Sequence, residues 1–210
     1  MTFSLSPAPG ERGNVWTHLP GAVFALASAW MAWPALGMGW QMGMGVICFL
    51  AGMFLMFASS TAYHWVAPGT LKGILRKCDH ICIYVMIACS YTPICIGVVG
   101  GWQGWLVFTL EWAAVLAGAV YKVVALGRWP RLSLALYLVM GWSVLFVAGP
   151  VVERMSAVAL GCLVAEGLFY TAGTWFFAND HRPHFHAVWH VFVLLGALSH
   201  WGVVLAVLFG

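Results

Sequence analysis

The sequence predicts an all-α integral membrane protein, a bundle of seven transmembrane helices, and three observations support this fold class. First, 63% of the 210 residues are apolar. Second, the chain has only nine basic and six acidic residues, whereas about 25% of a soluble domain is charged. Third, the apolar residues form long unbroken runs, and seven helices of about 20 residues would leave only termini and short loops. Transmembrane β-strands would instead alternate apolar and polar residues.

Each predicted span is an apolar run that is bounded by Gly, Pro or charged residues. The seven runs are residues 15–36, 43–63, 81–99, 106–126, 132–150, 157–178 and 187–209. Residues 37–45, in which Gly and Met alternate, are predicted to form a tight turn between the first two spans. Residues 1–14 are then an N-terminal segment without a cleavable signal peptide, and residues 15–210 form the transmembrane domain.

The basic residues indicate the orientation, because cytoplasmic loops are enriched in Lys and Arg. Eight of the nine lie on the side of the membrane that holds the N-terminus, and only Arg154 lies on the other side. The eight are Arg12, Lys72, Arg76, Lys77, Lys122, Arg128, Arg131 and Arg182. We therefore predict a cytoplasmic N-terminus and an external C-terminus. A net charge of +3 that is spread over these loops forms no basic patch, which argues against nucleic-acid binding.

Three His residues are predicted to converge at the cytoplasmic end of the bundle. His64 ends the second span, whereas His186 and His190 begin the seventh and lie four residues apart on one helix face. Three imidazoles from two helices are typical of a catalytic zinc whose fourth position is open for water. The spacing alone leaves another interpretation open, in which these side chains hydrogen-bond between helices or lie in the headgroup layer.

Asp79 and Ser60 are the predicted catalytic residues. Asp79 opens the predicted third span on the same side, either as a hydrogen-bond acceptor for a metal ligand or as the base that takes a proton from water. Ser60 lies one turn before His64 and can hydrogen-bond the same water or a substrate oxygen. Three other His residues are expected to be solvated near the interface: His18, His181 and His184.

Three further ionisable residues lie within the outer half of the predicted bundle. Glu111, Glu166 and His200 lie on the order of 10 to 15 Å from the outer ends of their spans. Each carboxyl group is expected to hydrogen-bond between helices, or to join a polar cluster that gates protons or a substrate headgroup. His200 follows His190 by about 15 Å along the helix, so it cannot share the same metal.

Five segments of the sequence carry a resemblance to a known family. They are GERGNVWTHLPG at 10–21, SSTAYH at 59–64, CDHICIYVMIACSYTP at 78–93, YTAGTWFF at 170–177 and FHAVWHVFVLLGALSHW at 185–201. Together they resemble the hemolysin III family, the bacterial branch of the progestin and adipoQ receptors. The resemblance covers nearly the whole chain. It implies a seven-helix bundle in a bacterial inner membrane with a cytoplasmic N-terminus.

The resemblance also implies a metal site and a set of possible functions. It implies zinc held by His64, His186 and His190, with Asp79 and Ser60 near the metal. One function is hydrolysis of an amide or ester bond in a membrane lipid, since the wider superfamily includes alkaline ceramidases. A second is receptor-like control of membrane lipid or energetic homeostasis with a structural zinc, and a third is a pore-forming haemolysin or channel. The expected partner is a membrane lipid or fatty acid inside the bundle.

Overall fold

A computed structural model describes residue 7 and residues 10–210 of the protein. In this part of the chain, seven apolar helices are long enough to span a membrane. The spans are Arg12–Gly37, Trp40–Trp65, Thr70–Val99, Gly101–Ala125, Pro130–Arg154, Ala157–Ala178 and Phe185–Phe209. No β-strand occurs in the described part of the chain, so the predicted all-α fold class is confirmed. Part of the predicted segment 1–14 lies outside the described residues, and residues 12–14 already belong to the first helix.

The second and third spans form the most buried part of the bundle, and the first, fourth and fifth spans pack directly against them. Phe49, Met53 and Phe57 of the second span are fully buried against the first, third and seventh spans. The sixth and seventh spans form an extensively packed pair at one side. We call the end of the bundle at which the first span begins and the second span ends the N-terminal face.

The third span changes its helical repeat at Pro93. Thr70–Thr92 is α-helical, and Pro93–Val99 is a π-helical segment. Proline has no N–H to donate, so the regular hydrogen-bond ladder cannot continue through it. Gly45 of the second span lies directly against this break, and a Cβ atom at Gly45 would lie 2.6 Å from the Cα atom of Pro93. The two central helices therefore meet backbone to backbone at this point.

The fifth span is interrupted between two α-helical segments, Pro130–Gly141 and Ala148–Arg154, by a 3₁₀ segment at Ser143–Val147. The hydroxyl of Tyr91 satisfies two backbone groups at this interruption. It donates to the Gly141 carbonyl at 2.7 Å and accepts from the Val144 N–H at 2.8 Å. Backbone groups at membrane depth need such internal partners, because hydrocarbon supplies none.

The third span begins eleven residues before the predicted start at residue 81, which corrects the expected position of Asp79. Asp79 lies about two and a half turns inside the helix rather than at its opening. Basic residues interrupt the apolar pattern there, but their long side chains reach polar atoms outside their own helix. Lys72 Nζ donates to the carbonyls of Tyr63 and Val66, and Lys77 Nζ donates to the carbonyl of Val123. The turn expected at 37–45 is likewise shorter, since helix resumes at Trp40.

Candidate metal centre

His64, His186 and His190 form one cluster at the N-terminal face of the bundle. One nitrogen of each imidazole lies within 4.8 Å of those of the other two. The ring centroids are 5.2 Å apart for His64 and His186, 5.0 Å for His64 and His190, and 4.7 Å for His186 and His190. His64 and His190 are buried, and His186 is partly exposed. The predicted convergence of the three side chains is therefore confirmed.

Two helix ends place these side chains. His64 lies in the last turn of the second span, and the seventh span begins directly after His184. The backbone of His184 has φ +65, the left-handed conformation, which turns the chain into the helix. His186 and His190 then follow four residues apart in the first turns, so both side chains face His64.

Each imidazole has an oxygen atom close to Nδ1. Glu11 Oε2 lies 2.8 Å from Nδ1 of His64, and the Asn14 carbonyl lies 3.1 Å from Nδ1 of His190. Asp180 Oδ2 lies 3.6 Å from Nδ1 of His186. A His that binds a metal commonly donates its other N–H to a carboxylate or carbonyl, which fixes the ring and its tautomer. Where Nδ1 is occupied in this way, Nε2 is the nitrogen that the ring can offer to a shared ligand.

The donor set fits a metal ion. Nε2 of His64 is buried and has no hydrogen-bond partner among the described residues, and an unpaired buried nitrogen of this kind is costly unless a ligand satisfies it. Three neutral imidazoles suit zinc and other late first-row metals. The cluster can therefore hold a metal ion, and three protein ligands leave room for a further ligand.

Glu11 is a site residue that sequence reasoning missed. It precedes the first span, accepts from Asn14 Nδ2 at 2.6 Å, and lies 3.3 Å from Lys72 Nζ as well as against His64. Burial alone would raise the pKa of the Glu11 carboxyl. Hydrogen bonds from Asn14 and His64 and the charges of His64 and Lys72 outweigh burial, so the pKa is lower than usual. The only sequence signal was its place in the segment GERGNVW.

His18 corrects another expectation, because it is buried rather than solvated. Only 3% of the residue is exposed, and its ring stacks on that of His190 with centroids 3.7 Å apart. Neither ring nitrogen of His18 has a hydrogen-bond partner among the described residues. His181 and His184 are exposed, as expected. Four His side chains, not three, therefore lie together at this end of the bundle.

A cavity of about 320 Å³ extends from the cluster into the bundle. Its lining is mostly apolar, but it includes His186, His190, Ser60 and Asp79. The Ser60 hydroxyl is buried and has no hydrogen-bond partner among the described residues. The Asp79 side chain is 14% exposed and lies 3.3 Å from Nδ1 of His80. Both predicted catalytic residues thus border the same cavity as the His cluster.

The three deeper ionisable residues are paired between helices, as expected. Glu111 accepts a hydrogen bond from Ser143 at 2.8 Å, which joins the fourth span to the fifth. Glu166 and His200 lie 2.8 Å apart, which joins the sixth span to the seventh. Glu166 and His200 also line the cavity, at a different level from the cluster.

Comparisons with known proteins agree with this architecture. A family model described as haemolysin-III related matches residues 8–201. The chain is 33% identical over 202 residues to a hemolysin-3 homolog of Bacillus subtilis (strain 168), which covers 93% of this chain and 92% of that protein. It is 31% identical over 145 residues to hemolysin-3 of Bacillus cereus, covering 69% and 66%.

A plant protein is also similar, the heptahelical transmembrane protein ADIPOR2 of Oryza sativa subsp. japonica. It is 28% identical over 181 residues, which cover 74% of this chain and 78% of that protein. No solved structure gives a significant match. The family model covers most of the chain, and the seven apolar helices agree with residence in a bacterial inner membrane. The chain therefore belongs to the haemolysin-III related family of integral membrane proteins.

Proposed function

We propose that the protein is a zinc-dependent hydrolase that cleaves an amide or ester bond of a membrane lipid. The observation that carries this proposal is that two members of the three-His cluster, His186 and His190, line a largely apolar cavity inside a membrane bundle. The cavity volume of about 320 Å³ lies within the usual range of ligand pockets. A site with this position and lining suits a substrate that has an acyl chain and a polar bond at one end.

Zinc is a metal that suits three imidazole ligands. When bound with an open position, zinc acts as a Lewis acid and lowers the pKa of its water to about 7. His64, His186 and His190 would hold it, and the oxygen atoms near their Nδ1 atoms would keep the rings in place.

Asp79 and Ser60 supply the remaining groups that hydrolysis needs. Asp79 takes the proton from the attacking water and returns it to the leaving nitrogen or oxygen as the carbonyl carbon–heteroatom bond breaks. The Ser60 hydroxyl, which has no hydrogen-bond partner among the described residues, donates to the substrate carbonyl oxygen. The lining of the cavity is mostly apolar, and in such surroundings both interactions are stronger than in water.

The metal assignment is tested by elemental analysis of purified protein. We expect about one zinc per chain, and we expect the triple variant His64→Ala/His186→Ala/His190→Ala to lose it. Thermal stability should also fall, because a metal that binds only the folded bundle stabilises it by mass action. A triple variant that retains a full equivalent of zinc contradicts the assignment.

The catalytic assignment is tested with Asp79→Asn, which removes the charge but keeps the size of the side chain. We expect zinc to remain bound while the hydrolysis of lipid amides or esters falls by on the order of 10²-fold or more. Loss of zinc from this variant would instead make Asp79 a metal ligand or an essential support for one. If the wild-type protein hydrolyses no lipid, the regulatory function with a structural zinc replaces the proposal.

A further inference from the structure

Glu166 and His200 form a buried polar pair in the cavity, away from the His cluster. His200 Nδ1 lies 2.8 Å from Glu166 Oε2, and the residues are 1% and 8% exposed. The His200 ring packs against the Phe49 ring with centroids 4.6 Å apart, so its orientation is fixed from both sides. Apolar residues dominate the rest of the lining, which makes this pair a localised polar feature.

A second feature of this pair is the other ring nitrogen of His200. Nε2 of His200 is buried and makes no hydrogen bond to any described residue. His200 is also one of the residues that line the cavity. A buried nitrogen without a hydrogen-bond partner destabilises the folded protein, unless a group in the cavity forms a hydrogen bond with it.

The pair lies at a defined distance from the metal centre. His200 follows His190 by ten residues in one continuous helix, which corresponds to about 15 Å along its axis. The hydrocarbon core of a bilayer is about 30 Å thick, so one leaflet is about 15 Å. An extended acyl chain whose head lies at the His cluster would therefore bring its far end to Glu166 and His200.

We propose that Glu166 and His200 form a subsite that binds a hydroxyl group near the far end of an acyl chain. The preferred ligand is thus a lipid with an ω-hydroxylated chain, an inference that rests on the proposed function. When Nδ1 donates to the Glu166 carboxylate, Nε2 of neutral His200 accepts, and when the pair holds an additional proton, Nε2 donates. A hydroxyl satisfies both forms because it donates and accepts, whereas a carbonyl only accepts and a methyl group does neither.

The test compares the binding of two fatty acids to purified, zinc-loaded protein in detergent: dodecanoic acid and its ω-hydroxy derivative. We expect the ω-hydroxy acid to bind wild-type protein about tenfold more tightly, the usual effect of satisfying one buried polar group. In Glu166→Leu/His200→Phe the preference should reverse, because the hydroxyl then loses its water without gaining a partner. Ser199→Ala is the matched control, since the Ser199 hydroxyl bonds the Leu195 carbonyl of its own helix, and it should keep the preference.

The result does not depend on turnover, so it separates this proposal from the hydrolase. If no lipid is hydrolysed but wild-type protein prefers the ω-hydroxy acid and the double variant reverses this preference, the subsite proposal is supported and the hydrolase proposal is contradicted. The subsite proposal is contradicted if wild-type protein binds the two acids with equal affinity or binds neither, even if hydrolysis is found. Equal affinities would result if a water molecule already bonds to Nε2 of His200. Should the double variant not fold, wild-type protein alone decides. The preference must then vanish when the hydroxyl is moved to the carbon beside the carboxyl group.

Discussion

At the scale of single residues, the His cluster depends on groups outside the two helices that supply its three members. Glu11, which directly precedes the first helix, orients His64. The carbonyl of Asn14, in the first turn of that helix, orients His190. Lys72 connects Glu11 to the carbonyl groups at the end of the second span. The first, second, third and seventh spans are thereby joined at one ligand cluster.

Replacing Glu11 should weaken metal binding without removing a ligand. Glu11→Gln keeps the side-chain size but replaces the anionic acceptor of the His64 N–H with a neutral amide. Changes to groups of this kind typically reduce metal affinity 10-fold to 100-fold, and a competitive chelator titration of purified protein measures it. Glu153→Gln is the matched control, because Glu153 is exposed at the opposite end of the bundle. Equal zinc affinity in both variants would show that Glu11 does not support His64.

The sequence predicts the clustering of the three His residues better than it predicts their surroundings. His186 and His190 lie four residues apart and His64 ends an apolar run, so helix periodicity and span depth are sufficient to bring them together. The contact of Glu11 with His64 joins residues 53 positions apart, and no local pattern indicates such a pair. The position of His18 near a helix end predicts a solvated ring and does not reveal that the ring stacks on His190.

At the scale of helices, close packing of the second and third spans depends on Gly45 beside the break at Pro93. A methyl group at Gly45 would lie 2.6 Å from a backbone atom, which cannot move as a flexible side chain can. Membrane helices use small residues in this way, because close backbone approach replaces the hydrophobic driving force that is absent in lipid.

Gly45→Ala should therefore destabilise the bundle by about 1 to 3 kcal/mol, the usual cost of overpacking a tight interior. Thermal unfolding in detergent measures the effect. Gly161→Ala is the control, since a Cβ atom at Gly161 meets no other atom within 4 Å. The control should retain or slightly raise the stability, because Ala favours helix over Gly. If the two variants unfold at the same temperature, the packing argument is wrong.

Span positions follow from the sequence, but helix ends and internal breaks do not. All seven apolar runs correspond to helices, because membrane depth requires apolar side chains and an internally bonded backbone. The third helix begins at Thr70, well before its apolar run. Apolar residues are required only within the hydrocarbon layer, whereas a helix can continue beyond it. The interruption of the fifth span depends on the Tyr91 hydroxyl from another helix, a partner that the local sequence does not reveal.

At the scale of the whole molecule, the two ends of the bundle differ in charge. All of the basic residues except Arg154 lie toward the N-terminal face, together with the His cluster. The guanidinium of Arg154 instead donates to the carbonyls of Val98 and Val99 at the opposite end. This asymmetry favours an orientation with the N-terminal face in the cytoplasm.

Reporter fusions test the orientation. If the C-terminus is external, green fluorescent protein fused after Gly210 is exported in unfolded form and should not fluoresce. Alkaline phosphatase at the same position should be active. Fusions after Gly127, in the loop between the fourth and fifth spans, should give the opposite pattern and serve as the control. A fluorescent C-terminal fusion would reverse the predicted topology and place the His cluster at the external side.

The cover that the first helix forms over the His cluster has a kinetic consequence. Glu11, Asn14 and Thr17 lie against the Nδ1 side of His64 and His190, and the cavity on the other side is mostly apolar. Opening of the first turns of this helix would expose the Nδ1 side of His64 and His190, and helix ends open at a small free-energy cost. A metal held by the cluster would then exchange faster when this helix end opens more often, so its exchange rate could change without any change in the three His residues.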